Sequence, residues 1–430
     1  MKKNLLCKTL FSWILIGAAG RAHASAFQLA EISTSGLGRA YSGEAAIADN
    51  ASVVATNPAL MAQFDKTEFS VGGVYVDSSI KLSGKTKVLK RSGYPARDAG
   101  NDNVIPGALV PNFYIVHPIN DRFAIGGGMN VNFGLKSEYD GTYAAGIFGG
   151  KTDLTALNFN LSGSYKISKG WSAGIGLNAV YAQAEIERTA GILSPALPIK
   201  PSDVMVHLKG NAWGFGWNAG LVYEINERNR FGLAYHSYID LDFKDNNAFS
   251  YQPKTRGFPY AYYDVGRLTL NLPAYWEFSG YHQMTDKFAM HYSIKYTEWS
   301  RFKELHGTYD SGLTAFRKTE NYTDNTRIAL GATYDVNEKL TLRAGIAFDE
   351  AAVGEYESAS IPDTDRTWYS LGATYHFTPN LSVDFGYAHL IGSKTTFKER
   401  KTILEGLTIE ADYTSRAHAN LYGLNLNYRF

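Results

Sequence analysis

The last ten residues, Leu421-Tyr422-Gly423-Leu424-Asn425-Leu426-Asn427-Tyr428-Arg429-Phe430, alternate without a break. Tyr422, Leu424, Leu426, Tyr428 and Phe430 share one parity; Gly423, Asn425, Asn427 and Arg429 share the other. Successive side chains of a strand point to opposite faces, so this segment is a ribbon with one apolar and one wet side. Such a strand, stopping on an aromatic residue, suits the closing strand of an outer-membrane β-barrel. The apolar face meets lipid, the aromatics lie near the interface, and the polar face looks into a lumen.

The same alternation returns in pairs along the chain. Leu157, Phe159, Leu161, Gly163, Tyr165 and Ile167 lead to a turn at Ser168-Lys169-Gly170, after which Trp171, Ala173, Ile175, Leu177, Ala179 and Tyr181 resume it. Further turns are expected at 118–121, 226–229, 285–287, 337–339 and 378–380. Each holds turn-forming residues between period-two runs, which predicts six hairpins. One strand near 68–82 precedes them and one near 415–430 follows, giving about fourteen strands. The even number fits a single-chain bacterial barrel. The seven other connections, near 83–107, 138–153, 188–206, 244–266, 303–324, 351–364 and 394–414, lack alternation and are expected as long loops on one side.

Composition agrees. Tyrosines number 29 and glycines 42; the former suit interfacial girdles, the latter turns and strand bends. Residues 1–24 read as a signal peptide: Lys2 and Lys3, an apolar run from Leu10 to Ile16, then Ala22-His23-Ala24, with cleavage expected after Ala24. The single cysteine, Cys7, leaves with it, so disulfide chemistry is not expected. Loss of four basic residues takes the formal charge from +1 to about −3, which gives no electrostatic case for nucleic acid. Beyond the leader no stretch reaches the ~18 apolar residues of a transmembrane helix.

Residues 25–65 precede the first strand and do not alternate. Ala26 to Ile32 and Gly43 to Ala48 are small and partly apolar and suit short helices, and Asn57-Pro58-Ala59-Leu60 imposes a turn, since proline fixes φ. A fourteen-stranded lumen is wider than side chains alone fill. The segment is therefore expected to be a partly helical hatch inside a barrel spanning 66–430. A periplasmic tail, the alternative, would be more charged and less apolar.

Several runs resemble the FadL family of outer-membrane long-chain fatty-acid transporters. They are Phe27-Gln28-Leu29, Ser35-Gly36-Leu37-Gly38-Arg39-Ala40-Tyr41-Ser42-Gly43-Glu44, Asn57-Pro58-Ala59, Asn132-Phe133-Gly134-Leu135, Trp213 to Gly220 and Ile361-Pro362-Asp363-Thr364-Asp365-Arg366. The resemblance covers essentially the whole mature chain, and is strongest to a branch containing abundant surface proteins of small Gram-negative pathogens. It implies capture of a fatty acid at the extracellular loops, transfer to an inner pocket, and lateral exit through the wall. It also implies roles. Phe27 would be tucked into the inner pocket. Asn57, Pro58 and Ala59 would form a hatch turn abutting a kinked third strand. Gly134 would be the glycine of that kink. Arg188 and Lys318 would meet the fatty-acid carboxylate, whose bare burial is very costly. Read without the resemblance, Arg188 at a strand end and Lys318 in a loop are ordinary solvated charges.

Other chemistry is missing from the sequence. Gly174-Ile175-Gly176 and Gly214-Phe215-Gly216 lie inside strands, not before helices, so they are not phosphate loops. The ten histidines show no metal-ligand spacing and no G-x-S-x-G elbow occurs, so neither an enzyme nor a cofactor is expected. The expected partners are long-chain fatty acids or other hydrophobic molecules, outer-membrane lipid and lipopolysaccharide, and the barrel assembly machinery through Phe430. The expected state is a monomer. Two alternatives stay open: a porin-like small-solute channel, and a surface adhesin or receptor. The loop aromatics Tyr94, Tyr139, Tyr143, Tyr251, Phe258, Tyr260, Tyr262 and Tyr263 suit either a greasy entry groove or a recognition surface.

Overall fold

Five of the six expected turns are closed by one side-chain oxygen that accepts from two successive backbone N–H groups. Asn120 Oδ1 accepts from Arg122 and Phe123 (2.9 and 3.0 Å). Asn226 Oδ1 accepts from Arg228 and Asn229, and Asn337 Oδ1 from Lys339 and Leu340. Thr285 and Thr378 Oγ1 do the same for their own turns. A short polar side chain that bonds its own backbone two or three residues on is what makes these residues turn formers. The sixth turn uses Gly170, whose φ of 93° lies in the left-handed region that L side chains avoid.

The structure is a computed structural model that describes residues 27–90, 93–254 and 258–430. The leader expected at 1–24 and cleaved after Ala24 lies outside the described residues. The turns link a closed antiparallel barrel of fourteen strands. The first six are β1 (Glu68–Leu89), β2 (Ala108–Pro118), β3 (Phe123–Glu138), β4 (Lys151–Ser168), β5 (Trp171–Thr189) and β6 (Val204–Asn226). Four interrupted strands follow: β7 (Asn229–His236 and Ile239–Gln252), β8 (Tyr260–Leu272 and Tyr275–Gln283), β9 (Phe288–Thr297 and Glu304–Tyr309) and β10 (Thr314–Thr319 and Asn325–Asp335). The last four are β11 (Leu340–Asp349), β12 (Arg366–His376), β13 (Leu381–Gly392 and Thr395–Leu404) and β14 (Leu407–Arg429). β14 closes on β1 from Glu68↔Arg429 to Leu89↔Thr408. Closure of β14 on β1 removes the free first and last edges of the sheet, the condition for putting strands into lipid.

Alternation sorts the two faces. Leu424 and Leu426 are 55% and 43% exposed, whereas Asn425 and Asn427 are 2% and 5%. Trp213, Phe215, Trp217, Leu221 and Tyr223 likewise all face outward. The strands also run further than the alternation does. β1 continues to Leu89 and β14 begins at Leu407, and the stretches 244–266, 303–324 and 394–414 are mostly paired hairpin rather than loop. Above the lipid the outer face meets water instead of acyl chains, so backbone pairing persists there while the outward positions no longer need to be apolar.

The chain before β1 is buried inside this wall. Helix α1 (Thr34–Leu37) is capped by the Ser33 side chain, which accepts from Gly36 N–H. Helix α2 (Val53–Thr56) is followed by a 3-10 turn, Pro58–Gln63, where Asn57 caps and proline occupies the first position. Leu37, Ala40, Ala45, Ala46, Val54, Asn57 and Leu60 are wholly buried. Their neighbours are inward polar side chains from around the barrel: Asn425 on Thr34 (2.6 Å), His291 on Ser42 (2.6 Å), Ser279 on Ala45 N–H (3.0 Å) and Ser70 on Ala51 N–H (3.2 Å). Arg39 pairs with Glu44 (2.7 Å) and Asp49 (2.6 Å), and Arg343 of β11 reaches Asp49 (3.3 Å).

Candidate functional site

Three strand pairs rise beyond the lipid band and converge. Arg188 lies 17 residues after the turn at Trp171. At roughly 3.3 Å per residue and ~40° of tilt, that is roughly 40 Å above the turn, past an apolar band ~25 Å tall. The alternation of the upper β9–β10 hairpin turns Phe316, Lys318 and Glu320 to one side while Arg317 and Thr319 turn to the other. The upper β13–β14 hairpin turns Glu399 and Lys401 inward in the same way. A cavity of about 310 Å³ is lined by Arg188, Phe316, Lys318, Tyr356, Glu399 and Lys401.

The structure thus brings Arg188 and Lys318 to one cavity across 130 residues of sequence, in two different settings. Arg188 is 1% exposed. Its guanidinium donates to Lys151 and Glu187 carbonyls (2.9 and 2.7 Å) and to Thr152 Oγ1 (3.0 Å), and lies 5.5 Å from the Phe316 ring centre. Burial pushes it down to about 10, so it stays a cation at neutral pH. The reading of Arg188 without the family resemblance, as a solvated surface charge, does not hold: the register places it on the inward face of β5, beside the Phe316 ring. Lys318 donates to Glu399 at 2.7 Å. Burial opposes its charge, but the Glu399 and Glu320 carboxylates outweigh it and hold the ammonium above the usual lysine range. Glu320 is wholly buried and pushed up to about 8 by that burial, so at neutral pH it is largely neutral.

Beneath the cavity runs one apolar cluster. Phe316, Leu305, Phe302, Tyr322 and Trp299 descend to Phe27 and Phe133. Phe27 is its hub, with ring centres of Trp299, Phe302 and Phe133 at 4.7, 5.4 and 6.2 Å.

At this lower end the wall is incomplete. β2 and β3 pair only from Pro118↔Ala124 to Asn112↔Asn130, although β3 continues to Glu138. On its other side β3 keeps pairing with β4, but through a bulge between Val131 and Phe133 that leaves Asn132 unmatched. The N-terminal segment takes the vacant edge: Leu29 N–H donates to Asn132 O and Gly134 N–H to Phe27 O, both at 2.9 Å. A bulge bends a strand and ends pairing locally. Outside it lies a second cavity, about 500 Å³, lined by Val131, Leu157, Tyr181, Glu185 and Lys209. Tyr181 packs against the outward-facing Trp213 (5.1 Å), so this cavity opens on the outer face. Inside, Asn130, Asn158, Asn160, Asn178 and Asn218 form a buried ladder of amide–amide hydrogen bonds.

The expected contact between Asn57-Pro58-Ala59 and Gly134 is not made among the described residues. Asn57 instead donates to Ala45 O and Leu221 O (2.8 and 3.2 Å). A Cβ on Gly220 would overlap Asn57 Oδ1, and one on Gly174 would overlap Pro58 and Ala59. The turn therefore rests on β5 and β6 near their periplasmic ends, and β3 is met lower down, where Met61 and Val54 crowd Gly126. Gly134 lies eight residues up that strand, too far to reach. Its partner is Phe27. Sequence reading also missed two features: the bulge at Asn132, which no glycine or proline marks, and Lys401, which follows Arg400 in a stretch without alternation.

Glu185, Glu187 and His207 bring three potential metal-ligand atoms within 4.8 Å of one another. Lys151 at 3.0 Å and Lys209 at 3.5 Å already neutralise Glu185, however, which disfavours a cation there.

Residues 15–430 match the family model described as "Outer membrane protein transport protein (OMPP1/FadL/TodX)". The chain is 56% identical over 458 residues to "Outer membrane protein P1" of Haemophilus influenzae, with 98% of this chain and 99% of that protein covered. It is 42% identical over 463 residues to the "Long-chain fatty acid transport protein" of Escherichia coli K12, each covered fully. A Pseudomonas aeruginosa FadL homologue of known structure superposes with a TM-score of 0.82 at 24% identity, covering 94% of this chain and 100% of that one. At that identity the likeness speaks to fold, and the fold it speaks to is the same barrel. Family members are transport channels rather than enzymes. The chain belongs to the OMPP1/FadL/TodX family of outer-membrane transport proteins.

Proposed function

We propose that this protein carries long-chain fatty acids across the outer membrane by head-group capture at Arg188 and Lys318, descent of the tail toward Phe27, and sideways release at the β3 bulge. The observation that carries this reading is the continuity of the parts. A cation-lined cavity above the lipid sits on one apolar cluster that ends, at Phe27, beside a break in the wall. A carboxylate entering an apolar site needs charge-assisted partners, and a tail favours apolar surroundings by about 0.8 kcal/mol per buried methylene. Release straight down into water forfeits that gain, whereas release into the outer leaflet keeps it. The Asn57-Pro58-Ala59 turn and the remainder of 27–64 act as a hatch that closes the lumen, and Phe27 with Leu29 acts as the removable edge at Asn132 and Gly134. The lipid-facing wall sits among outer-membrane lipid and lipopolysaccharide as a monomer, with Phe430 the contact for the barrel assembly machinery.

The test is Lys318→Met, which keeps the aliphatic stem and removes the charge. Binding of oleate to purified protein should weaken by about 1.5–3 kcal/mol, the contribution of a hydrogen bond to a charged group. Oleate affinity equal to that of the parent would remove Lys318 from the head-group site. A large steady current through the intact protein in a planar bilayer would favour the small-solute channel instead.

A further inference from the structure

The cations around the upper cavity are not equally free. Lys318 is paired with Glu399 (2.7 Å), Arg317 with Glu304 (2.7 Å), Lys398 with Asp412 (3.0 Å) and Arg400 with Glu410. Arg188 has its donors taken by two carbonyls and a hydroxyl. Lys401 differs from all of these. Among the described residues its ammonium has no carboxylate at ion-pair distance, and it lies over the Phe316 ring, 5.3 Å from the centroid. It lines the cavity and turns inward with Glu399. An ammonium held beside a guanidinium and a second ammonium, over one aromatic ring and without its own anion, is an arrangement that an incoming anion completes.

We propose that Lys401 is a third binding residue for the ligand's anionic head group, and that this cavity selects amphiphiles carrying a carboxylate over neutral ones of the same tail. The inference rests on the head-group reading given above and extends it to a residue that reading did not include. Arg188 is then the fixed floor of the site, and Lys318 shares its charge with Glu399. Lys401 supplies the uncompensated charge.

The electrostatics fit. Burial, then the repulsion of Arg188 and Lys318, pushes Lys401 down to about 8, with Glu399 opposing. A bound carboxylate stabilises the ammonium and raises that value. The attraction is therefore complete below about pH 8 and is lost progressively above it. The charged groups lining the cavity with it are Arg188 from β5, Arg317 and Lys318 from β10, Lys398, Glu399 and Arg400 from its own strand, and Glu355 and Glu357 from the connection after β11; Glu320, just past the upper part of β10, acts on Lys318. Glu320, also pushed up to about 8, gains negative charge in the same window and weakens anion binding in the same direction. A variant is thus needed to assign the slope.

The experiment measures oleate and oleyl alcohol binding by titration calorimetry, on the full-length protein in nanodiscs, for the parent, Lys401→Met and Lys401→Arg. The parent should prefer oleate at pH 7, and Lys401→Met should lose about tenfold or more in oleate affinity with little change for oleyl alcohol. Lys401→Arg should keep the preference and flatten the decline between pH 7 and 9, because an arginine stays charged throughout. Equal binding of the two ligands by the parent would overturn the carboxylate-site reading and this inference together. Preference in the parent that persists unchanged in Lys401→Met, or a pH slope unchanged in Lys401→Arg, would overturn the role of Lys401 alone. Met keeps the stem against Phe316, and the oleyl alcohol affinity reports whether the cavity is intact.

Discussion

Two charged clusters lie inside this barrel and they are built oppositely. Inside the lower barrel, Arg39, Glu44 and Asp49 of the N-terminal segment and Arg343 of β11 answer one another: each cation has a carboxylate at 3.3 Å or less. In the upper cavity, of Arg188, Lys318 and Lys401 only Lys318 has a carboxylate at ion-pair distance among the described residues, that of Glu399, while Glu320 is largely protonated. The difference separates structure from function on physical grounds. A buried charge that is compensated internally holds parts together and has nothing left for a ligand. A cluster with surplus charge over an apolar floor is incomplete until an anion arrives.

The first prediction attacks the compensated side. Arg39→Ala leaves Glu44 buried without its 2.7 Å partner. Removing one member of a buried pair costs about 3–5 kcal/mol. Thermal unfolding should shift down, and the loosened hatch should admit ion current in a planar bilayer. A variant as stable and as silent as the parent would break the comparison, since the hatch would then not depend on its internal charges.

The second concerns the route between the two clusters. Deleting Asn132 removes the residue that the β3–β4 register cannot match, so the strand should pair regularly and the edge used by Phe27 and Leu29 should close. Oleate uptake by cells should fall to the level of cells without the protein, while surface expression persists. Normal uptake in a correctly folded deletion would count against release at the bulge.

The third sharpens the uncompensated side and is the smallest. Glu399→Gln keeps the hydrogen bond that Ala359 N–H donates (3.0 Å) but frees Lys318. Oleate affinity should rise by a factor of a few, the scale of about 1 kcal/mol. Weaker binding would show that Glu399 supports the site more than it competes with the ligand.

Most of the barrel could be read in advance because its signals are local. Asn120, Asn226 and Asn337 close turns within three residues, and the lipid imposes period two on every wall strand it touches. The upper strands lost that signal with the lipid, so their pairing beyond Leu82 and before Ser415 was unreadable. The site is legible only in part for the same reason. Arg188 and Lys318 lie 130 residues apart, and only the family resemblance joins them; by charge and position alone they are surface residues. Lys401 sits beside Arg400 in an unpatterned run, and what distinguishes it is the lack of a carboxylate partner among the described residues, which only three dimensions reveal. Gly134 was visible as a glycine in a strand. The bulge itself falls on Asn132, an ordinary residue on an ordinary strand.

The central claim is that the surplus cations hold a carboxylate whose tail descends to Phe27. Its most direct test is a crystal structure of the protein with a fatty acid brominated at the tail, using the anomalous signal to place the bromine. The account predicts a carboxylate within hydrogen-bond distance of Lys318, with Lys401 alongside, and a bromine peak among Phe302, Trp299 and Phe27. A bromine peak confined to the asparagine ladder or to the outer surface, with the cation cluster unoccupied, would contradict it.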